Sequence, residues 1–267
     1  MYGSSSSSMT NTNKSKFTKH AEDHIVHRAS PFVVHNIFNH QLLNNVNSRG
    51  HKKIELLVKN TFPTCNIKQI HHIHAPQMYG MYLLHKEEFK NQGVQEKLLY
   101  HVTSESNALE SLKSGLDWRR TERAKYGCGV SFSDNADYAN YYANSYFGED
   151  RRVLMICCVL VGETHVPREE FARSLIVPPD HADTTVSGCR NVYVKYNDYE
   201  FYPLYFVYYQ LRRVHLISSR FFTRRNRRTQ MQIEYLDRCK PVEDQRENVE
   251  FPPHADFCTD DSDEESL

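Results

Sequence analysis

Two residue types in the middle of this 267-residue chain suit the handling of a sugar and a flat ring. His101 stands near the end of a short apolar run, LLYHVT at residues 98–103. An imidazole where a strand feeds a helix either reaches into a cleft or makes a local structural hydrogen bond, and pattern alone leaves both readings open. Residues 126–143 read YGCGVSFSDNADYANYYA. Gly127 and Gly129 pinch a short apolar run, and then Tyr138, Tyr141 and Tyr142 crowd into one helix-like stretch. Tyr138 and Tyr142 are four residues apart and share a helix face. Such rings either pack on a sheet or line a pocket for an aromatic group. Arg119 and Arg120 carry the fork that matches phosphate geometry. His71, His72 and His74 form a histidine cluster, in which His72 and His74 would share one face of a strand. No cysteine or acidic partner stands at a usual zinc spacing, so no metal is expected.

These residues need a scaffold. IELLVKNTF (54–62) reads as helix, CNIKQIHHI (65–73) as strand and YGMYLLHKEEF (79–89) as helix. Residues 31–47 suggest a short helical region. After the strand at 98–103, Ser104 caps a helix bearing Leu109 and Leu112, and Gly115 falls at its left-handed C-cap. CGVSF (128–132) is a strand, and Asp134 is the expected cap of the tyrosine helix. VLMICCVLV (153–161) is apolar throughout, which predicts a strand buried on both faces. NVYVKY (191–196), the turn NDYE and LYFVYYQL (204–211) read as an antiparallel hairpin. Many strands with few, short helices predict an α+β fold dominated by antiparallel sheet.

Composition bounds the rest. Lys+Arg and Asp+Glu both number 33, so net charge names no partner. No run approaches the ~20 apolar residues of a membrane helix, the first residues lack the apolar core of a secretory signal, and seven cysteines form no CxxC pair. Reduced thiols in nucleus or cytoplasm, and no membrane partner, are the expectation. Residues 1–51 are Ser-, Asn-, Lys- and His-rich and read as largely disordered or loosely structured. Residues 212–267 read as a charged extension outside the core: seven arginines between Arg212 and Arg228, interleaved with Phe221 and Phe222, then an acidic tail. Basic residues among aromatics can bind RNA or DNA, and the plainer readings are a solvated helix or a nuclear-localisation segment.

Five segments, in order, resemble the catalytic domain of the poly(ADP-ribose) polymerase family, the diphtheria-toxin-like ADP-ribosyltransferases. KLLYHVTSESNALESLKSGLDWRR resembles the family's "LLFHGT…I…GFDWR", and KYGCGVSFSDNADYANYY resembles "YGKGSYFA…ASYS..Y". VLMICCVLVGETHV resembles the "VLVGE" strand, NVYVKYNDYEFYPLYFVYY resembles "FVVFDDNQAYPEYLI", and IKQIHHIHAPQMYGMYLLHKEEF resembles "I..I.RVQNP.LWE.Y…K..M". The resemblance spans residues 52–211, and Asp117-Trp118-Arg119 is similar to the mono-ADP-ribosylating branch.

The resemblance implies a split β-sheet with NAD as co-substrate lying across it, and it places the histidines of residues 71–74 at the sheet edge. His101 would bond the adenosine-side ribose, Tyr142 would stack on nicotinamide, and the backbone of Val102 would clamp the nicotinamide amide, with Thr103, Arg119, Gly129, Ser131, Tyr138 and Ala139 around the donor. Gly127 and Gly129 would let main chain approach the ligand. Four positions depart from the family pattern. Val102 replaces the glycine of "HGT" and adds bulk on the ligand's path. Ser131 replaces a tyrosine, and Ala139 replaces the serine that donates to the amide. Leu204 replaces the glutamate that grips the nicotinamide ribose and extends polymer. The expectation is therefore transfer of one ADP-ribose unit to protein acceptors, the chain itself included. The alternative is an inactive member serving as an RNA- or protein-binding module.

Overall fold

The computed structural model describes residues 42–117, 124–143, 151–168, 174–179 and 181–238. Its centre is the strand with the most continuous apolar sequence. β5 (Arg151–Val161) is buried along nearly its whole length. It runs antiparallel between β3 (Gln95–Ser104) and β9 (Phe201–Gln210), and β2 (Ile67–Ile73) and the short β1 (Leu43–Asn45) complete a five-stranded sheet in the order β1-β2-β9-β5-β3. A second sheet holds β4 (Val130–Phe132), β8 (Tyr193–Lys195), β7 (Thr184–Val186) and β6 (Thr164–His165) in that order, with only β6 and β7 parallel. With six α-helices among the described residues, the fold is α+β with two mostly antiparallel sheets.

Strand alternation sorts the five-stranded sheet into two cores. Leu99, Met155, Cys157 and Phe206 face α2 (Pro76–Glu88), with Tyr82, Leu83 and Phe132 filling the layer. Tyr100, Val102, Leu154, Ile156 and Val207 face the other way, against Ile54 and Val58 of α1 (Ser48–Thr61) and Ala136 of α4 (Ala136–Tyr142). Ser104 caps α3 (Glu105–Ser114) as expected by accepting from the Asn107 N–H, and Gly115 ends that helix at φ 75°.

Four expectations are corrected. Residues 191–196 and 204–211 do not form a hairpin: β8 pairs with β4 and β7, β9 pairs with β2 and β5, and the turn at 197–200 crosses between the sheets, where the Leu160 N–H meets the Glu200 carbonyl at 2.8 Å. The tyrosine helix is capped by Asn135, whose side chain accepts from the Tyr138 N–H, and not by Asp134. Leu43–Asn45 is a strand, not helix, because it pairs with β2; residues 31–41 lie outside the described residues. That pairing also takes the 71–74 histidines away from a sheet edge, and His71 and His72 pack on Tyr208 and Tyr205 of β9. No group of three or more His, Cys, Asp or Glu side chains able to hold a metal occurs among the described residues.

The arginine-rich stretch is also more than solvated charge. It forms α5 (Arg213–Ile217) and α6 (Arg227–Arg238), and Leu216 and Ile233 join Tyr141 and Leu211 in a third apolar cluster. The apolar residues are spaced widely enough among arginines that composition hides them.

Candidate active site

One isolated backbone bridge joins the two sheets among the described residues. Tyr100 of β3, at the open edge of the five-stranded sheet, exchanges both backbone hydrogen bonds with Ser133, just after β4, at 2.7 and 2.9 Å. A ladder continuing from that pair would bond Val102 to Ser131 next. It does not: β4 turns away to pair with β8, and the Ser131 carbonyl is met instead by the His101 side chain, Nδ1 to oxygen 2.8 Å. The sheet therefore forks. By the two-residue period of the strand, the Val102 N–H and C=O point into the fork on the same side as those of Tyr100. A planar amide entering there finds one donor and one acceptor at strand spacing.

The fork also fixes the state of His101. A carbonyl only accepts, so Nδ1 carries the proton and Nε2 is left as an acceptor. Crowding around the ring lowers its pKa, with the Ser131 bond opposing, so the neutral imidazole is favoured. The ring leans on Phe132, centroids 5.9 Å apart. Thr103 is buried, and its Oγ1 accepts from Asn107 at 3.4 Å.

The Val102 side chain packs in the second core. It is 6% exposed beneath α1 and α4, on the face opposite His101. The glycines lie close against β8 and the residue after it. A Cβ on Gly129 would lie 2.4 Å from the Lys195 carbonyl, and one on Gly127, at φ 130°, would strike the Tyr196 hydroxyl. The closeness they permit is between the β4 approach and β8. Lys195 is fully buried there, held by Glu200 at 2.7 Å and by Asp183 at 3.0 Å.

α4 supplies the other side. Its alanines pack beneath β3, while Tyr138 and Tyr142 project together, ring centroids 4.4 Å apart. Tyr142 is 39% exposed. Burial raises its pKa; Tyr141, Tyr126 and Cys189 add to the rise and Lys125 opposes it, so the phenol stands among groups from the loops before β4 and before β8. Ala139 packs against the second core and offers no side-chain donor. Leu204 falls at a bulge, where β5 residues 156 and 157 pair with Tyr205 and Pro203 and leave it unmatched. Its side chain packs with the core on the His101 face. Ser131 turns its side chain to solvent. Arg119, like Trp118 and Arg120, lies outside the described residues.

In the sequence, Phe221 reads only as an aromatic among arginines. It packs edge-on against Tyr138 at 4.9 Å and lies 6.2 Å from Tyr142. No local pattern announces this contact, because about 80 residues separate the partners.

A search of curated proteins finds no match. The model of the poly(ADP-ribose) polymerase catalytic domain, in contrast, matches residues 48–216, more than half of the chain and every strand of the two sheets except β1. The chain belongs to the poly(ADP-ribose) polymerase catalytic domain family.

Proposed function

We propose that this protein is an NAD-dependent mono-ADP-ribosyltransferase of protein side chains. The family uses NAD as co-substrate. The observation that carries the reading is the fork at Val102. Its N–H and C=O are aimed at an opening that matches a carboxamide, beside an imidazole whose Nε2 is left to accept from a ribose hydroxyl. Tyr142 offers a ring face for nicotinamide; such stacking adds about 0.5–1.5 kcal/mol beyond burial. The missing donor at Ala139 costs a comparable amount, roughly 0.5–1.5 kcal/mol.

The chemistry asks for positioning and little else. The bond between ribose C1′ and the pyridinium nitrogen breaks, its electron pair leaving with nicotinamide, which becomes neutral. An acceptor carboxylate oxygen then bonds to the electron-poor C1′. His101 and the Val102 backbone hold the two ends of the donor so that this bond is exposed to the acceptor. Leu204 offers no carboxylate to the ribose, so a second sugar hydroxyl is not activated and one unit is transferred. Incubation with labelled NAD tests this. The expected product is single ADP-ribose on protein, lost in His101→Ala; polymer ladders would overturn the mono-transfer reading, and no label in either form would overturn transfer.

A second reading has its own support. Arg220, Arg224, Arg225 and Arg227 are exposed, and a cavity of about 500 Å³ between α5 and α6 is lined by Arg213, Ile217, Phe222, Arg224, Gln230 and Ile233. Cationic and aromatic groups together suit single-stranded RNA. Salt-sensitive RNA binding with no heat of NAD binding would favour this reading.

A further inference from the structure

Residues 219–233 lie beyond the family match, yet they hold the helix that carries Tyr142. Three kinds of contact make the hold. Ser219 Oγ donates to Asp137 Oδ2 at 2.9 Å; both residues are buried. The Tyr141 hydroxyl receives the Thr223 N–H and the Thr229 hydroxyl, each at 3.2 Å. Phe221 packs on Tyr138 and Tyr142, and the Arg220 guanidinium covers its ring at 4.8 Å. Asp137 and Tyr141 form one stripe of α4, and Tyr138 and Tyr142 form the next. The segment therefore grips α4 on two adjacent faces, while the alanine face rests on the sheet.

We infer that Phe221 is a positioning residue for the donor site: it sets the rotation of Tyr138 and Tyr142, and the Ser219–Asp137 and Thr223/Thr229–Tyr141 contacts keep it in place. This rests on the reading of Tyr142 as the nicotinamide platform. Besides Tyr138 and Tyr141 of its own seven-residue helix, at 4.4 and 5.0 Å, the Tyr142 ring is braced by Phe221 from outside α4. Without Phe221 its ring samples several orientations, and a stacking ligand must select one.

The test uses the full chain with Phe221→Ala, Phe221→Leu, Phe221→Tyr and, as a control, Phe222→Ala, which packs with Phe221 against the third apolar cluster but makes no ring contact with Tyr138 or Tyr142 among the described residues. Each is titrated with NAD by calorimetry, and amide hydrogen exchange is followed in α4 and in β5. Phe221→Ala and Phe221→Leu are expected to bind NAD about three- to tenfold more weakly, with Phe221→Tyr and Phe222→Ala near wild type. Exchange at 138–142 should quicken in Phe221→Ala and in Ser219→Ala, with β5 unchanged. Wild-type affinity and wild-type exchange in Phe221→Ala would overturn the inference, as would an equal loss in Phe222→Ala, which would mark a general structural effect. If the wild-type chain binds no NAD, the donor-site reading fails by itself. The exchange rates of α4 then decide the positioning: unchanged rates reject it and quickened rates retain it.

Discussion

His101 and Tyr142 are held by opposite means. On the strand side, main chain does the work: a two-bond bridge, a carbonyl handed from a ladder position to an imidazole, and glycines that let β8 lie close behind. On the helix side, the work is done by side chains, most of them from outside the family-matched stretch. Backbone geometry tolerates side-chain replacement: at position 102 the N–H and C=O keep their strand directions whatever side chain is carried. Side-chain packing does not tolerate it. The two halves of the site should therefore respond differently to mutation and to pH.

The largest effect is expected behind the strand side. Lys195→Ala leaves Glu200 and Asp183 without their buried cation, a loss of about 3–5 kcal/mol in urea unfolding. A change within 1 kcal/mol would show that the four-stranded sheet does not frame the fork.

Acid should attack the helix side next. His215 packs between Phe62 and Tyr209, and its Nδ1 accepts the Arg212 N–H. Burial pulls its pKa down to about 4. A folded-state value below the unfolded one means that the neutral form stabilises the fold. That contribution is complete above about pH 6.5 and fades as pH falls through 4. Roughly 3 kcal/mol should be lost across that window, and His215→Gln should flatten the profile. A wild-type profile unchanged between pH 6.5 and 4 would refute the assignment.

Gly129→Ala should cost about 1–3 kcal/mol, since the new methyl meets backbone and not a flexible side chain. A neutral result in thermal unfolding would mean that β4 and β8 can separate freely. The smallest effect belongs to the ring itself. Tyr142→Phe keeps the stacking face and should shift NAD affinity by less than about threefold. A larger loss by calorimetry would assign the hydroxyl a contact of its own.

How much of this the sequence discloses follows the same division. β3, β5 and the Ser104 and Gly115 caps are local patterns, and they appear where residue spacing puts them. The partner of β8 is not a local property. Three residues with an ordinary turn after them fit a hairpin as well as a crossover, and only the competing edges of β4 and β7 decide. The site shows the same limit. His101 and the tyrosine pair are legible as types at spacings. The carbonyl that His101 takes, the side to which Val102 turns and the approach of Phe221 all depend on contacts between distant residues.

The third apolar cluster bears on how fragments of this protein are cut. A boundary drawn after Leu216 would preserve every stretch that resembles the family, yet it would strip away Ile233 and the hydroxyl that caps Asp137, opening Tyr141 to water. Such a fragment would be expected to lose stability or to aggregate. Its silence in an assay would describe the scissors and not the full chain.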